Sequence, residues 1–528
     1  VVEGEAARPL LRWAFPAILG VFAAAHLVRI DAPFARHQDA VAVVYASLAR
    51  NHLDLGLGGT KLGLICASRG QWEAFPEARR EFYPNRPFLA PLVLAGAFAL
   101  LGVSEWVLRA TMIAAGLGAV FAFRSLARRL VAAPWDLVAT GFFAFMPVFW
   151  YFTVAVPHLA FALAFGLGSW AAALRWEETR RARDAAAAAA FGFAACLSDW
   201  PGAMGMGGLA AWFLLGKRPW PAAVAAGIAV SSFGLHLLHL RWIDPSGETL
   251  RSFLGAPGER SGLPYGSLGV FLASELRELG VYFTAGLLAL AAAGLPGLVR
   301  GRRDPKTLAV ACLLSLGLDE VLFTFWAWSH DFLTYGWAPA AALAAARGAQ
   351  TLAGAGGWKR KAVLPALVLL AAVQSGVIMA DRLTRLGSGE IGVRAAEAVR
   401  RTTAPGERTA LSFPASPLLA AYYSDRAVLA GNGSGARFRW RDEAKEGRSI
   451  RTPEEFLAFV EQGADGADWV VLGDPAAAAA SLEFLRRGGV DLALRLGMVP
   501  EGHPLRLHLE RTARRRLVDG PFLFYRIR

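Results

Sequence analysis

The chain has 528 residues, of which 55% are hydrophobic and only 18% charged, and it carries a formal net charge of +13. Soluble domains average about 25% charged residues, so this deficit excludes an ordinary soluble enzyme and points to a polytopic membrane protein. The positive charge lies mostly in short loops between apolar runs, as in cytoplasmic membrane loops; that argues against nucleic acid as a partner and for a lipid bilayer and lipid phosphate.

The first apolar stretch, Leu10 to Val28, is followed by no small-residue cleavage site and reads as a retained helix rather than a signal peptide. A spanning helix needs about 20 mostly apolar residues. Candidate spans are 10–29, 106–123, 135–152, 156–174, 184–198, 201–216, 219–241, 281–299, 307–328, 332–350 and 360–380. Basic clusters punctuate them: Arg124, Arg128 and Arg129; Arg175, Arg180, Arg181 and Arg183; Lys217 and Arg218; Arg300, Arg302, Arg303 and Lys306; Lys359, Arg360 and Lys361. Successive clusters are two spans apart, so all fall on one side, which the positive-inside rule makes the cytoplasm.

This parity requires the apolar segment Pro87 to Val103 to lie along the outer face instead of crossing. Residues 30–106 then form a long extracytoplasmic loop with juxtamembrane helices. About eleven spans result, with the N-terminus in the cytoplasm and the C-terminus outside. The turns left outside, 151–158, 198–201, 242–280 and 328–331, hold most of the acidic and histidine residues at helix ends. Residues 1–380 thus form a transmembrane module.

From Asp381 the composition becomes that of a soluble domain, and 381–528 reads as a small extracytoplasmic α/β domain. Helical patterns are expected at 391–401, 417–424 and 453–462, strands at 409–413, 427–430 and 468–472, an edge strand at 521–528, and a loop at 432–449. Cys66, Cys196 and Cys312 are too scattered for a disulfide framework or a metal motif.

The polar loop supplies the first chemistry. His37-Gln38-Asp39 follows the first span, with Tyr45, Arg50 and Asn51 at helical spacing beyond it. An acid at the outer face can act as a general base or hold a metal ion against a phosphate; equally, Asp39 can cap the helix that carries Tyr45 and Arg50.

Several motifs resemble the GT-C glycosyltransferases. They are His37-Gln38-Asp39, Tyr45 with Ala49-Arg50-Asn51, Tyr83-Pro84-Asn85-Arg86-Pro87, and Phe98 followed by Gly102, Ser104-Glu105-Trp106 and Arg109. Ser198-Asp199-Trp200-Pro201-Gly202, His330-Asp331-Phe332, Trp337-Ala338-Pro339 and Tyr422-Tyr423-Ser424-Asp425-Arg426 extend the resemblance over nearly the whole chain. It is similar to the bacterial family-39-like branch, related to dolichyl-phosphate-mannose protein mannosyltransferases and aminoarabinose lipid A transferases.

The resemblance implies a multi-pass protein of the bacterial inner membrane, working in the cell envelope. It would transfer a sugar from a polyprenyl-phosphate donor to a glycan, lipid or protein acceptor. The family's first-loop acid falls on Asp39, with Tyr83, Asn85, Arg86 and Arg109 on the donor phosphate. Two departures are visible. Asn85-Arg86-Pro87-Phe88 stands where the family commonly has Asn-His-Pro-Pro, and Val156-Pro157-His158-Leu159 stands where relatives often carry an acid. No cofactor is demanded, and a divalent cation is the one left open.

Arg86 precedes a proline that restricts its backbone, which suits a fixed guanidinium gripping phosphate; a snorkelling interfacial arginine is the plainer alternative. His158 starts a span after Pro157. Asp199 lies in a tight hairpin, either capping the next helix or sharing a sugar site with Trp200. Asp319 and Glu320 fall inside the span 307–328, where ionisable residues face a cavity or a partner, and His330 and Asp331 close its outer end. The alternatives to an enzyme are a transporter or flippase of lipid-linked sugars, although no inverted repeat is apparent, and a non-catalytic binding relative.

Overall fold

The computed structural model describes the chain apart from residues 1–6, 75, 77–78, 80–81, 264–266, 302–303, 355–357, 386–388, 412–416, 431–457, 459–460, 462–466, 483–488 and 496–497. Among the described residues the protein is mostly helical, with one small sheet near the C-terminus. It divides into two compact units. The first comprises Val1–Ile30, Pro84–Ala90 and Val107–Leu383; the second comprises Asp31–Tyr83, Pro91–Trp106 and Thr384–Arg528.

The first unit is built from apolar helices. Many open on proline, with Pro147, Pro157, Pro219 and Pro305 in first turns, where the missing N–H costs nothing and the fixed φ suits a helix. Among the described residues, four helical stretches are long and apolar enough to cross a membrane: Glu105–Leu130, Pro157–Thr179, Pro219–Ile243 and one within Ala362–Thr402. The number rises to six if two bent pairs each count as one span. Ala182–Ser198, Trp200–Leu215 and Ala338–Gly354 are apolar but have only 17, 16 and 17 residues.

Two expected spans are not straight helices. The one over 135–152 bends by 49° between Trp135–Phe145 and Pro147–Ala155, because the Pro147 ring interrupts the helical ladder. The one over 307–328 is a succession of short pieces: Pro305–Cys312, a 3-10 segment Leu313–Gly317, then Leu318–Leu322 and Thr324–Ser329. Asp319 and Glu320 lie in this interruption and are buried within the protein. A second 3-10 segment, Asp331–Trp337, packs closely there: a Cβ on Gly336 would overlap the Leu316 carbonyl. The helices Leu268–Tyr282 and Ala285–Arg300 meet at 103°, with Thr284 at φ 61° between them. Leu268–Tyr282 therefore does not continue the Ala285–Arg300 span.

Ala285–Arg300 crosses Ala338–Gly354 through small residues, as membrane helices do when backbones approach closely. A Cβ on Gly348 would overlap the Leu290 carbonyl oxygen, and one on Gly294 the Ala344 carbonyl oxygen. Helix propensity alone makes Gly→Ala favourable by roughly 1 kcal/mol. Gly348→Ala is expected to do the opposite, destabilising by about 1–3 kcal/mol as overpacking does. Thermal unfolding in detergent checks the sign; a raised midpoint would mean the helices do not cross there.

The second unit contains a five-stranded sheet of order β2-β1-β3-β5-β4. Its strands are β1 (Arg408–Leu411), β2 (Ala427–Ala430), β3 (Trp469–Gly473), β4 (Arg515–Asp519) and β5 (Phe522–Arg526). β1 pairs in parallel with β2 and β3, while β5 runs antiparallel to both β3 and β4. Both faces are covered, so alternate residues serve two cores. Trp469, Val471, Phe522 and Phe524 pack with Ile391 and Val399 of the helix Gly389–Thr402; Val470, Leu472, Leu523 and Tyr525 pack with Leu505 and Leu509 of Pro504–Thr512.

The C-terminal strand, expected at an edge, lies inside the sheet. The edge beside it is β4, whose Arg515, Arg516 and Val518 are exposed, and charges on an edge strand discourage pairing with other chains. The helix expected at 453–462 lies outside the described residues apart from Ala458 and Glu461, as does the whole loop at 432–449.

The first loop belongs to this same unit. Its helix Asp39–Asp54 presents Arg50, whose guanidinium donates to Asp425 at 2.9 Å and lies 3.4 Å from Asp54. The Phe34 N–H donates to the Tyr423 hydroxyl (2.8 Å), which donates to Glu105 (2.7 Å).

Candidate functional site

In the first unit the chain just before Pro87 is clamped from two sides. The Trp200 indole N–H donates to the Asn85 carbonyl at 2.8 Å, and a His236 ring nitrogen lies 2.9 Å from the Pro84 carbonyl. Arg86, between them and Pro87, is buried and donates to Asp199, which is fully buried. Asp199 also caps the helix Trp200–Leu215, accepting the Trp200 N–H at 2.8 Å. Its second oxygen has no hydrogen-bond partner and lies 3.6 Å from His158 Nε2. Burial pushes the Asp199 carboxyl up from its ordinary value, against the pull of Arg86.

Two guanidinium groups meet on one indole. Arg86 lies 4.8 Å and Arg260 3.8 Å from the Trp326 ring centre, and a desolvated cation on an indole face gains up to about 2 kcal/mol. His330 follows on the same stretch, with its Nδ1 3.1 Å from the Trp326 carbonyl. Burial holds its imidazole down at about 4, and the charge of Arg86 adds to that. Asp319 is buried and feels the charges of Asp199 and Arg86. The Trp200 ring is packed among Phe233, His236 and Phe253.

Glu320 belongs to a different cluster, with Glu275 and Glu278 of the helix Leu268–Tyr282. Asp331 accepts from the Tyr282 hydroxyl, which also receives the Arg382 guanidinium at 3.0 Å. Arg109 is buried and donates to the Ile30 carbonyl at 2.9 Å, tying its helix to the end of the first one. An apolar cavity of about 510 Å³ opens nearby, lined by Leu279, Phe283, Leu295, Leu308, Leu314 and Trp337 among others.

The second unit holds Asp39, His37, Arg50 and Tyr83. Asp39 is buried and accepts the Arg36 N–H at 3.0 Å. It is not the capping residue of its helix; that position is Gln38, in a left-handed conformation at φ 60°. Asn51 anchors the loop, donating to the Ile65 and Ala67 carbonyls at 2.7 Å each. The Tyr83 N–H donates to the Leu64 carbonyl.

The structure therefore brings Asn85, Arg86, His158, Asp199, Trp200, Asp319 and His330 into one neighbourhood of the first unit. Sequence reasoning missed Arg260, Glu275, Glu278, Tyr282, Trp326 and Arg382. The spacing Glu275 to Glu278 on a largely apolar helix was the available signal, since residues three apart share a face.

No protein-family description matches the chain, and no curated protein matches its sequence. Solved structures do match its fold. The oligosaccharyltransferase AglB of Archaeoglobus fulgidus, solved with an inhibitory peptide and a dolichol-phosphate, aligns at TM-score 0.58 and 12% identity, over 91% of this chain and 72% of its own. ArnT of Cupriavidus metallidurans, bound to undecaprenyl phosphate, aligns at TM-score 0.55 and 15% identity, over 96% and 97%. The arabinofuranosyltransferase AftD from Mycobacteria aligns at TM-score 0.50 and 14% identity, over 98% of this chain and 40% of its own. The chain shares the fold of these three proteins.

Proposed function

We propose that the protein is a membrane glycosyltransferase that moves a sugar from a polyprenyl-phosphate donor to an acceptor on the extracytoplasmic face, with inversion at the anomeric carbon. The observation that carries this reading is the buried Arg86, held by Asp199 and stacked with Arg260 on Trp326. Fixed guanidinium groups stabilise charge developing on a departing phosphate without reorganising. The apolar cavity beside Leu279 and Trp337 suits prenyl carbons. The lipid phosphates bound by AglB and ArnT support the same donor class. In the reaction, the acceptor oxygen attacks the anomeric carbon, Asp39 takes its proton, and the bond to the lipid phosphate breaks with its electron pair on phosphate oxygen.

Incubation of the protein in nanodiscs with radiolabelled polyprenyl-phosphate sugars, together with glycan profiling of a deletion strain by mass spectrometry, tests the activity. Loss of one defined sugar supports the enzyme. Accumulation of an unflipped lipid-linked intermediate with no transfer in vitro favours a transporter.

The same reading places about eleven helical segments across the inner membrane, with the N-terminus in the cytoplasm. Reporters fused after Arg129, Arg183, Arg218 and Arg303 are expected to report cytoplasm. Those within 55–80 and after Asp381 are expected to report the outside. A cytoplasmic signal from residues 381–528 would remove the outward-facing active surface.

A further inference from the structure

We propose that Glu275, Glu278 and Glu320 bind one divalent cation of the hard, oxygen-preferring class, such as Mg²⁺ or Mn²⁺. Each contributes a carboxylate oxygen, and these oxygens lie within 4.8 Å of one another. Around Mg²⁺, at about 2.0–2.1 Å from each ligand, two oxygens lie at most about 4.2 Å apart, so on binding these carboxylates close in by up to about half an ångström. Glu275 and Glu278 stand one helical turn apart on Leu268–Tyr282, so both face the same way, and Glu320 comes from the short helix Leu318–Leu322.

The second observation is what these oxygens lack. The three residues are 8%, 3% and 1% exposed. The Glu275 and Glu320 carboxyls meet each other, but among the described residues no N–H or hydroxyl donor reaches either of them or Oε2 of Glu278. The remaining Glu278 oxygen receives the Ser274 hydroxyl at 3.3 Å and sits 3.9 Å from Arg277, whose side chain is 75% exposed and so compensates weakly. Asp319, next along the chain, leaves a further buried oxygen unpartnered.

Burying an unpaired carboxylate is strongly unfavourable, so such groups are normally paired or coordinate a metal. A set made only of carboxylates, with no Cys or His, selects Mg²⁺ or Mn²⁺ over zinc or copper. The cation would pin the sharply turned Leu268–Tyr282 helix to the broken stretch after Gly317. Three protein ligands leave positions open in an octahedral shell; that phosphate oxygens of the donor enter them rests on the function proposed above.

Mn²⁺ titration of the full-length protein in nanodiscs, followed by electron paramagnetic resonance, is the test. One bound ion per chain is expected. Glu275→Gln and Glu278→Gln should each weaken it by at least about tenfold, since loss of outer-shell partners alone costs about 10–100-fold. Glu178→Gln, on an exposed carboxylate, should leave it unchanged. Mn²⁺ should also raise the thermal midpoint of the wild type and not of the two variants, because an ion that binds only the folded state stabilises it. This comparison remains readable if one variant folds poorly. Absence of a bound ion in the wild type would mean that protons neutralise the carboxyls and would overturn the proposal; so would binding that both variants retain. A protein that binds Mn²⁺ here yet transfers no sugar keeps the site and loses the glycosyltransferase reading.

Discussion

Arg86→Ala is expected to destabilise the protein by about 3–5 kcal/mol, the usual cost of stranding one partner of a buried ion pair. Asp199 is fully buried, and its other contacts are the Trp200 N–H and His158, which do not replace a guanidinium. Arg86→Lys keeps a charge but loses the planar fork and the stack on Trp326, so an intermediate loss is expected. The paired change Arg86→Met with Asp199→Leu removes both charges and should recover much of the stability, because apolar replacements of buried pairs are often neutral or better. Donor affinity should not recover with it. Thermal unfolding in detergent and polyprenyl-phosphate binding to the same preparations separate the two effects. A double variant that regains stability and transfers sugar normally would make the pair purely structural.

Asp39→Asn should leave a well-expressed protein that binds donor and transfers little, with the rate down by about 10²–10⁴ as for loss of a general base. Asn keeps the shape and can still accept the Arg36 N–H that Asp39 now receives. A structural role therefore predicts a lost stability of no more than the ~0.5–1.5 kcal/mol of one hydrogen bond, with near-normal specific activity. Comparing single-turnover transfer rates with unfolding midpoints decides between them. Transfer close to the wild-type rate would move the base to Asp199 or Asp331, or remove proton abstraction by this chain from the mechanism.

The membrane character, the apolar helices and the strands around 409–413, 427–430 and 468–472 were legible in the sequence, because hydrophobic runs and their punctuation record burial locally. So was the oddity of Asp319 and Glu320, since charge inside an apolar run needs a partner or a cavity. Composition could not show that the run over 307–328 breaks into short pieces; its hydropathy is that of a span, and the break depends on what packs against Gly317 and Leu316. The C-terminal strand read as an edge because β4, short and charged, carries no strand signal of its own; pairing, not propensity, makes it a strand. Arg86 and Asp199 are 113 residues apart, and Arg50 and Asp425 are 375 apart. Each of those residues looked noteworthy alone, but an ion pair acts over a few ångströms and leaves no periodicity in either segment. The sequence by itself determined the apolar character of the helices and most of the local structure. Only the tertiary structure decided which charges meet, because distance in space, which sets electrostatic energy, is not written in spacing along the chain.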